Sequence, residues 1–174
     1  PSRANEVHTI SERLSEDFEI KFLSPEAKMD GGDIVFTGDG FLIGRSTRTN
    51  DIGINELSKI ASKLGYSTQV IDVPNSTLHL TTVCSVPKNG MLIAAEGHLK
   101  PEQITGFDDI IWVPNSETYA SNTIAMENGI VLVSAGFPIT KQRLETAGFE
   151  TKEVEMGEIM QADGSLTCLS LFIG

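Results

Sequence analysis

Three times along the chain, two short apolar runs joined by a tight turn are followed by a helical or connecting stretch and a third apolar run. This β-β-α-β order returns at a spacing of roughly 45 residues, in the range where a repeat dictates architecture, so it constrains the fold more than any other feature. In the first copy, Ile34-Val35-Phe36 and Phe41-Leu42-Ile43 flank Gly38-Asp39-Gly40, which reads as a hairpin connection. A helix is predicted over 51–64, with Ile52, Ile54, Leu57, Ile60 and Leu64 on its apolar side and Gly65 as its stop, then a strand over 67–73. The second copy pairs 78–84 with 91–95 around Pro87-Lys88-Asn89-Gly90, opens a short helix at Pro101 and closes on a strand over 110–113. The third has strands over 123–126 and 130–133 around Asn128-Gly129, a helix over 140–147 stopped by Gly148, and a strand over 149–154.

The ends are partial units. Val7, Ile10, Leu14 and Phe18 recur at helical spacing, 19–23 alternates like a strand, and the tail over 166–173 reads as one more strand. The expected fold class is therefore α/β, with about three ββαβ units plus partial ends in a single domain over 1–174. The chain enters at the helix of one unit and leaves on the first strand of another. It is therefore expected to be truncated at the N-terminus relative to a closed array, with a separate segment or chain completing it.

Composition narrows the function classes. Lys and Arg number 13 against 24 Asp and Glu, a formal net charge of −11. That balance argues against nucleic acid and favours a cationic small molecule. No apolar run approaches the ~20 residues of a membrane span, and no signal-peptide pattern opens the chain, so the expected location is cytoplasmic. Two cysteines exclude a disulfide scaffold, and no CxxC or Cys/His cluster suggests structural zinc. GxxxxGK[ST], GxGxxG after a strand, GxSxG and HExxH are all absent.

Few residues are left to carry chemistry. Cys168, in an apolar C-terminal run, and Cys84 are by default buried filler. His79, between Leu78 and Leu80 at the start of a predicted strand, is by default a hydrogen-bonded structural group. A Cys and a His distant in sequence can nonetheless meet as thiol nucleophile and acid/base partner. Asp30-Gly31-Gly32-Asp33 reads as a tight turn, placed just ahead of a strand where a carboxylate could be aimed into a cavity. Arg3, Arg45 and Arg48 are by default solvated, although Arg48 beside Thr49 and Asn50 could clamp a carboxylate with its planar fork.

Four of these motifs, taken in order, carry a resemblance: Asp30-Gly31-Gly32-Asp33-Ile34-Val35-Phe36-Thr37-Gly38, Arg45-Ser46-Thr47-Arg48-Thr49-Asn50, Leu78-His79-Leu80 and Asp163-Gly164-Ser165-Leu166-Thr167-Cys168. The series resembles that of the dimethylarginine dimethylaminohydrolases, members of the guanidine-modifying pentein superfamily, and runs essentially from Pro1 to Gly174. The resemblance implies a five-bladed α/β propeller of ββαβ units, of which this chain matches about the last two thirds. It implies Cys168 as nucleophile, His79 as general acid/base and Asp30 as the acidic partner of His79 or of the guanidinium. It further implies Arg48 and Arg3 on the amino-acid end of the substrate, Asp33 as substrate-binding and the Ala162 carbonyl as a substrate holder.

The implied reaction is hydrolysis of a C–N bond of N-methylated arginine, giving an amine and citrulline through a thiouronium. No metal or organic cofactor is implied, and zinc bound by Cys168 and His79 would inhibit. The implied partner is a small guanidino substrate, with a homo-oligomer left open. Arginine deiminases and amidinotransferases of the superfamily typically place an Asp two residues after the histidine, where this chain has Thr81 in His79-Leu80-Thr81. Those sister activities are the first alternative, and a non-catalytic pentein binding protein is the second.

Overall fold

The computed structural model describes residues 6–170, so Arg3 and the end of the predicted C-terminal strand lie outside the described residues. The described residues open with helix α1 (Glu6–Leu14), none of whose residues is buried. Three small sheets follow. In the first, β1 (Ile34–Phe36) runs antiparallel to β2 (Gly40–Arg45), the helix α2 (Asp51–Lys63) crosses over, and β3 (Ser67–Asp72) returns parallel to β2. The second repeats this order with β4 (Cys84–Lys88), β5 (Met91–Ala95) and β6 (Asp109–Val113), its crossover reduced to a single 3-10 turn over Pro101–Gln103. The third has β7 (Ile124–Ala125), β8 (Ile130–Ser134), the helix α3 (Pro138–Thr146) and β9 (Glu150–Val154), and the short helix α4 (Gly157–Gln161) follows. The α/β class and the repeated ββαβ unit are as the sequence predicts.

Local chemistry explains the elements. The Asn50 side chain caps α2 by accepting from Gly53 N at 2.9 Å. Gly65, at φ +86°, lets the chain turn out of that helix while Tyr66 N donates to Ala61 O and Gly65 N to Ser62 O. Helix α3 lacks a cap of its own and borrows the buried Glu117, whose carboxylate accepts from Ile139 N, Thr140 N and Thr140 Oγ1. Pro87 cannot donate to a ladder, and the β4–β5 register shifts between Ser85 and Lys88 around it.

The core sits between the sheets. Strand β5 is buried on both faces: Leu92 and Ala94 join the first sheet's Leu42 and Ile71, whereas Met91 and Ile93 join Val131, Val133 and Leu144 beyond. Strand alternation thus stacks the sheets around the second one.

Three predicted strands are corrected. Residues 19–23 pair with no strand among the described residues, since an alternating run forms a strand only where a ladder partner exists. Residues 78–83 precede the ladder; Leu80–Thr82 form a 3-10 turn and β4 starts at Cys84. His79 is therefore at the head of a turn and not of a strand. Leu166 adopts αR geometry and Thr167–Leu169 form another 3-10 turn, so Cys168 is not in a strand either.

Because β5 carries the packing of both flanking sheets, Leu92→Ala is expected to lower unfolding free energy by about 2–5 kcal/mol. Urea denaturation measures it; a loss below 1 kcal/mol would contradict the central role of β5.

Candidate active site

The site begins with a buried carboxylate. Asp33 closes the 3-10 turn Gly31–Asp33 and is 0% exposed. Its Oδ2 accepts from Ser46 Oγ at 2.6 Å and Thr49 Oγ1 at 2.7 Å, and its Oδ1 from Leu80 N at 3.0 Å. Enclosed and met by three donors, the Asp33 carboxylate organises its neighbours in this structure. Thr49 Oγ1 also accepts from Asp30 N at 3.2 Å, and Ser46 Oγ accepts from Arg48 N at 3.0 Å. Asp30, Arg48 and His79 are each one step from Asp33, the last through Leu80.

These three side chains meet. Asp30 Oδ2 lies 3.2 Å from His79 Nε2 and 3.5 Å from Arg48 Nη1, and Arg48 Nη1 lies 3.5 Å from His79 Nε2. A proton on Nε2 lets His79 donate to Asp30, and its absence lets the ring accept from Arg48. Partial burial pushes the Asp30 carboxyl up, but the Gly32 N–H, His79 and Arg48 together outweigh it and hold the group below the usual aspartate value. Asp30 is thus an anion at neutral pH. The His79 side chain packs against Gly32, where a Cβ would stand 2.7 Å from His79 Cγ, so any larger residue would displace the ring. Arg45 is committed elsewhere, paired with Asp51 at 2.8 Å and Asp72 at 2.5 Å on the surface.

Cys168 sits in the turn Thr167–Leu169 and is exposed, its Sγ 3.3 Å from Ser165 Oγ. The turn is reached through α4, which ends with Asp163 at φ +57°, where Gly164 N donates to Ile159 O and Asp163 N to Met160 O. Ala162 is the exposed C-cap of that helix, beside the loop leading to Cys168. Tyr119 donates to Gly164 O at 2.8 Å; burial first, and then the electrostatic influence of the nearby Cys168, push its hydroxyl pKa up.

The sequence reading missed Asn122. This residue, 1% exposed, donates from Nδ2 to Thr81 O at 2.7 Å and to Thr167 Oγ1 at 2.7 Å, and accepts Thr167 N at 3.0 Å. It joins the turn after His79 to the turn holding Cys168. One signal could have revealed it: Asp30, His79, Asn122 and Cys168 are 49, 43 and 46 residues apart, one per repeat.

Cys84 is the contrasting thiol, 0% exposed and pushed up to about 12 by burial. Among the described residues no three His, Cys, Asp or Glu side chains are grouped to hold a metal ion, and no helix is long and apolar enough to cross a membrane. A groove lined by Thr37, Phe41, Gln69 and Asn89 is at the hairpin end of the sheets, opposite these turns.

Two outcomes follow from this geometry. Asp33→Ala strands two hydroxyls and a buried amide and is expected to lower stability by at least ~3 kcal/mol, measured by denaturant titration. Iodoacetamide applied at pH 8 to the native protein is expected to modify Cys168 and spare Cys84; peptide mass spectrometry showing the reverse would refute the assigned exposures.

Comparison with known proteins places this arrangement. A family model described as arginine deiminase matches residues 14–111, more than half of the chain. An N(G),N(G)-dimethylarginine dimethylaminohydrolase of Pseudomonas aeruginosa is 34% identical over 175 residues, covering 98% of this chain and 66% of that protein. One of Streptomyces coelicolor is 31% identical over 145 residues, covering 82% and 54%. The chain thus spans about two thirds of the first relative's length and about half of the second's. A crystal structure of the Pseudomonas enzyme, a cysteine-to-serine variant complexed with citrulline, superposes with a TM-score of 0.87 at 33% identity, over 98% of this chain and 66% of that one. The N-terminal domain of a cyanobacterial arginine dihydrolase, bound to product, shares the fold with a TM-score of 0.83 at 20% identity. The chain belongs to the arginine deiminase family.

Proposed function

We propose that the protein is a cysteine hydrolase of guanidino compounds, cleaving the C–N bond of an N-methylated arginine to give an amine and citrulline. The observation that carries this reading is the Asp30–His79–Arg48 cluster, tied through Asn122 to the turn that presents an exposed Cys168. The similarity to dimethylarginine dimethylaminohydrolases over 98% of the chain supports it.

A guanidinium is planar, cationic and resonance-stabilised, so attack on its central carbon needs a thiolate and a negative environment. The ionised Asp30 and the acidic balance of the chain supply the latter. In the proposed sequence the Cys168 thiolate bonds to the guanidinium carbon, giving a tetrahedral adduct. His79 donates a proton to the departing amine as the C–N bond breaks, leaving a thiouronium. His79 then takes a proton from water, the water oxygen bonds to the same carbon, and the C–S bond breaks to release citrulline and regenerate the thiolate. Asp30 orients the imidazole, and Arg48 holds the substrate carboxylate with its fork. Arg3 and the Ala162 carbonyl complete the proposed substrate contacts. No step calls for a metal or an organic cofactor.

Arginine is the competing substrate, since the matching family model is that of arginine deiminase. Position 81 decides between them in this reading. Thr81 offers no carboxylate, so a guanidinium finds fewer acceptors and methylated nitrogens meet a smaller penalty.

The test is citrulline formation from asymmetric dimethylarginine and from arginine, compared by kcat/KM. Dimethylarginine is expected to be preferred, and preference for arginine would reassign the substrate. Cys168→Ser is expected to abolish turnover with the fold retained; residual turnover would remove the cysteine from the mechanism. Arg48→Ala is expected to raise KM about tenfold or more with kcat little changed, because a charged hydrogen bond of ~1.5–3 kcal/mol is lost from the ground state.

A further inference from the structure

Asn122 occupies the repeat position that Asp30, His79 and Cys168 occupy in the other units, yet it is closed to solvent. A primary amide offers two N–H donors and one strongly accepting oxygen. Here Nδ2 donates to Thr81 O and Thr167 Oγ1, and Oδ1 accepts from Thr167 N. Its clients are the residue two after His79 and the residue one before Cys168. Neither turn belongs to a ladder that would fix it, since Leu80–Thr82 precede β4 and Thr167–Leu169 form an isolated 3-10 turn. A buried amide is costly unless fully bonded, and this one uses its bonds to join those two turns.

We infer that Asn122 is a positioning residue that sets the Cys168 nucleophile against the His79 acid/base. The inference rests on the hydrolase reading above and adds to it a residue outside the reacting set. Aspartate is no replacement, because a carboxylate has no N–H to give to Thr81 O. Thr167 is the matching half of the clamp: valine there removes the Oγ1 acceptor and keeps the backbone N–H, whereas serine keeps both.

The test compares wild type, Asn122→Ala, Thr167→Val and Thr167→Ser, each assayed below its melting temperature for citrulline formation from dimethylarginine and arginine. Amide hydrogen exchange is followed in 79–82, in 166–170 and in β5. Asn122→Ala is expected to lose about 100-fold in kcat, the usual result of misplacing reacting groups by about 1 Å, with KM little changed. Both turns are expected to exchange faster together while β5 stays protected. Thr167→Val is expected to share part of both effects, and Thr167→Ser to recover them. A folded Asn122→Ala with wild-type kcat, an effect confined to KM, or turns that respond independently would overturn the inference. Should wild type form no citrulline from either substrate, the hydrolase reading fails, and hydrogen exchange still decides whether Asn122 couples the two turns. If Asn122→Ala does not fold, the Thr167 pair decides by the same two measurements.

Discussion

The Asp33 carboxylate is the constraint on which the rest of the site depends. Removing a carboxylate from water costs several kcal/mol, and nothing returns that energy unless each oxygen is met by a donor. Two hydroxyls and one backbone N–H meet it here, from Ser46, Thr49 and Leu80. Each donor is bound to a specific place in the chain, so satisfying the charge forces three segments together. The loop after β2, the turn before β1 and the turn before β4 can approach in only one way. Gly44 sharpens the fit, because a Cβ there would meet Asp33 Oδ1 at 3.0 Å and Leu80 Cβ at 2.9 Å. Asp30, Arg48 and His79 then have little choice of position.

The repeat explains why these groups share one end of the molecule. Each unit begins its first strand after a short irregular segment, and those segments carry Asp30, His79 and Asn122; Cys168 comes at the next repeat interval. Three sheets stacked side by side bring equivalent segments to the same end. The joints are polar: Leu80 N to Asp33 between the first two segments, and Asn122 to Thr81 and Thr167 among the others. Apolar burial in the sheets holds the units, and buried polar groups then set the register of their ends. The division is physically sensible, since hydrophobic contacts are non-directional and hydrogen bonds are not.

The same division decides what could be read from the sequence. Alternation and hairpin turns report on ladders, and β1, β2, β5, β6 and β8 lie where the pattern puts them. The pattern misleads at 78–83 and 166–170, where Leu80 N and Thr167 N are taken by the side chains of Asp33 and Asn122, each more than 40 residues away. No local periodicity carries that information. Asp30, Arg48 and His79 could be singled out by type and motif, and they do come together. Asp33 was legible as a carboxylate but not as a buried one, because an aspartate that faces a ligand and one that faces three donors have the same letter. Asn122, between Ser121 and Thr123, has no local mark at all.

Arg48 shows how a stiff frame can carry a movable group. Its backbone N–H is pinned by Ser46, which is itself pinned by Asp33, so the base of the side chain is fixed. Its guanidinium reaches Asp30 and His79 only at 3.5 Å, the outer limit of a hydrogen bond, and its side chain is 43% exposed. Contacts that long hold an arginine weakly, so a carboxylate offering a bidentate pair at ordinary distance would outcompete them. Turning toward such a ligand would also withdraw the cation from Nε2 of His79 and leave Asp30 as that nitrogen's remaining ionic partner. Binding a carboxylate at Arg48 and freeing Nε2 of His79 from the neighbouring cation would then be one event, because both depend on the same guanidinium.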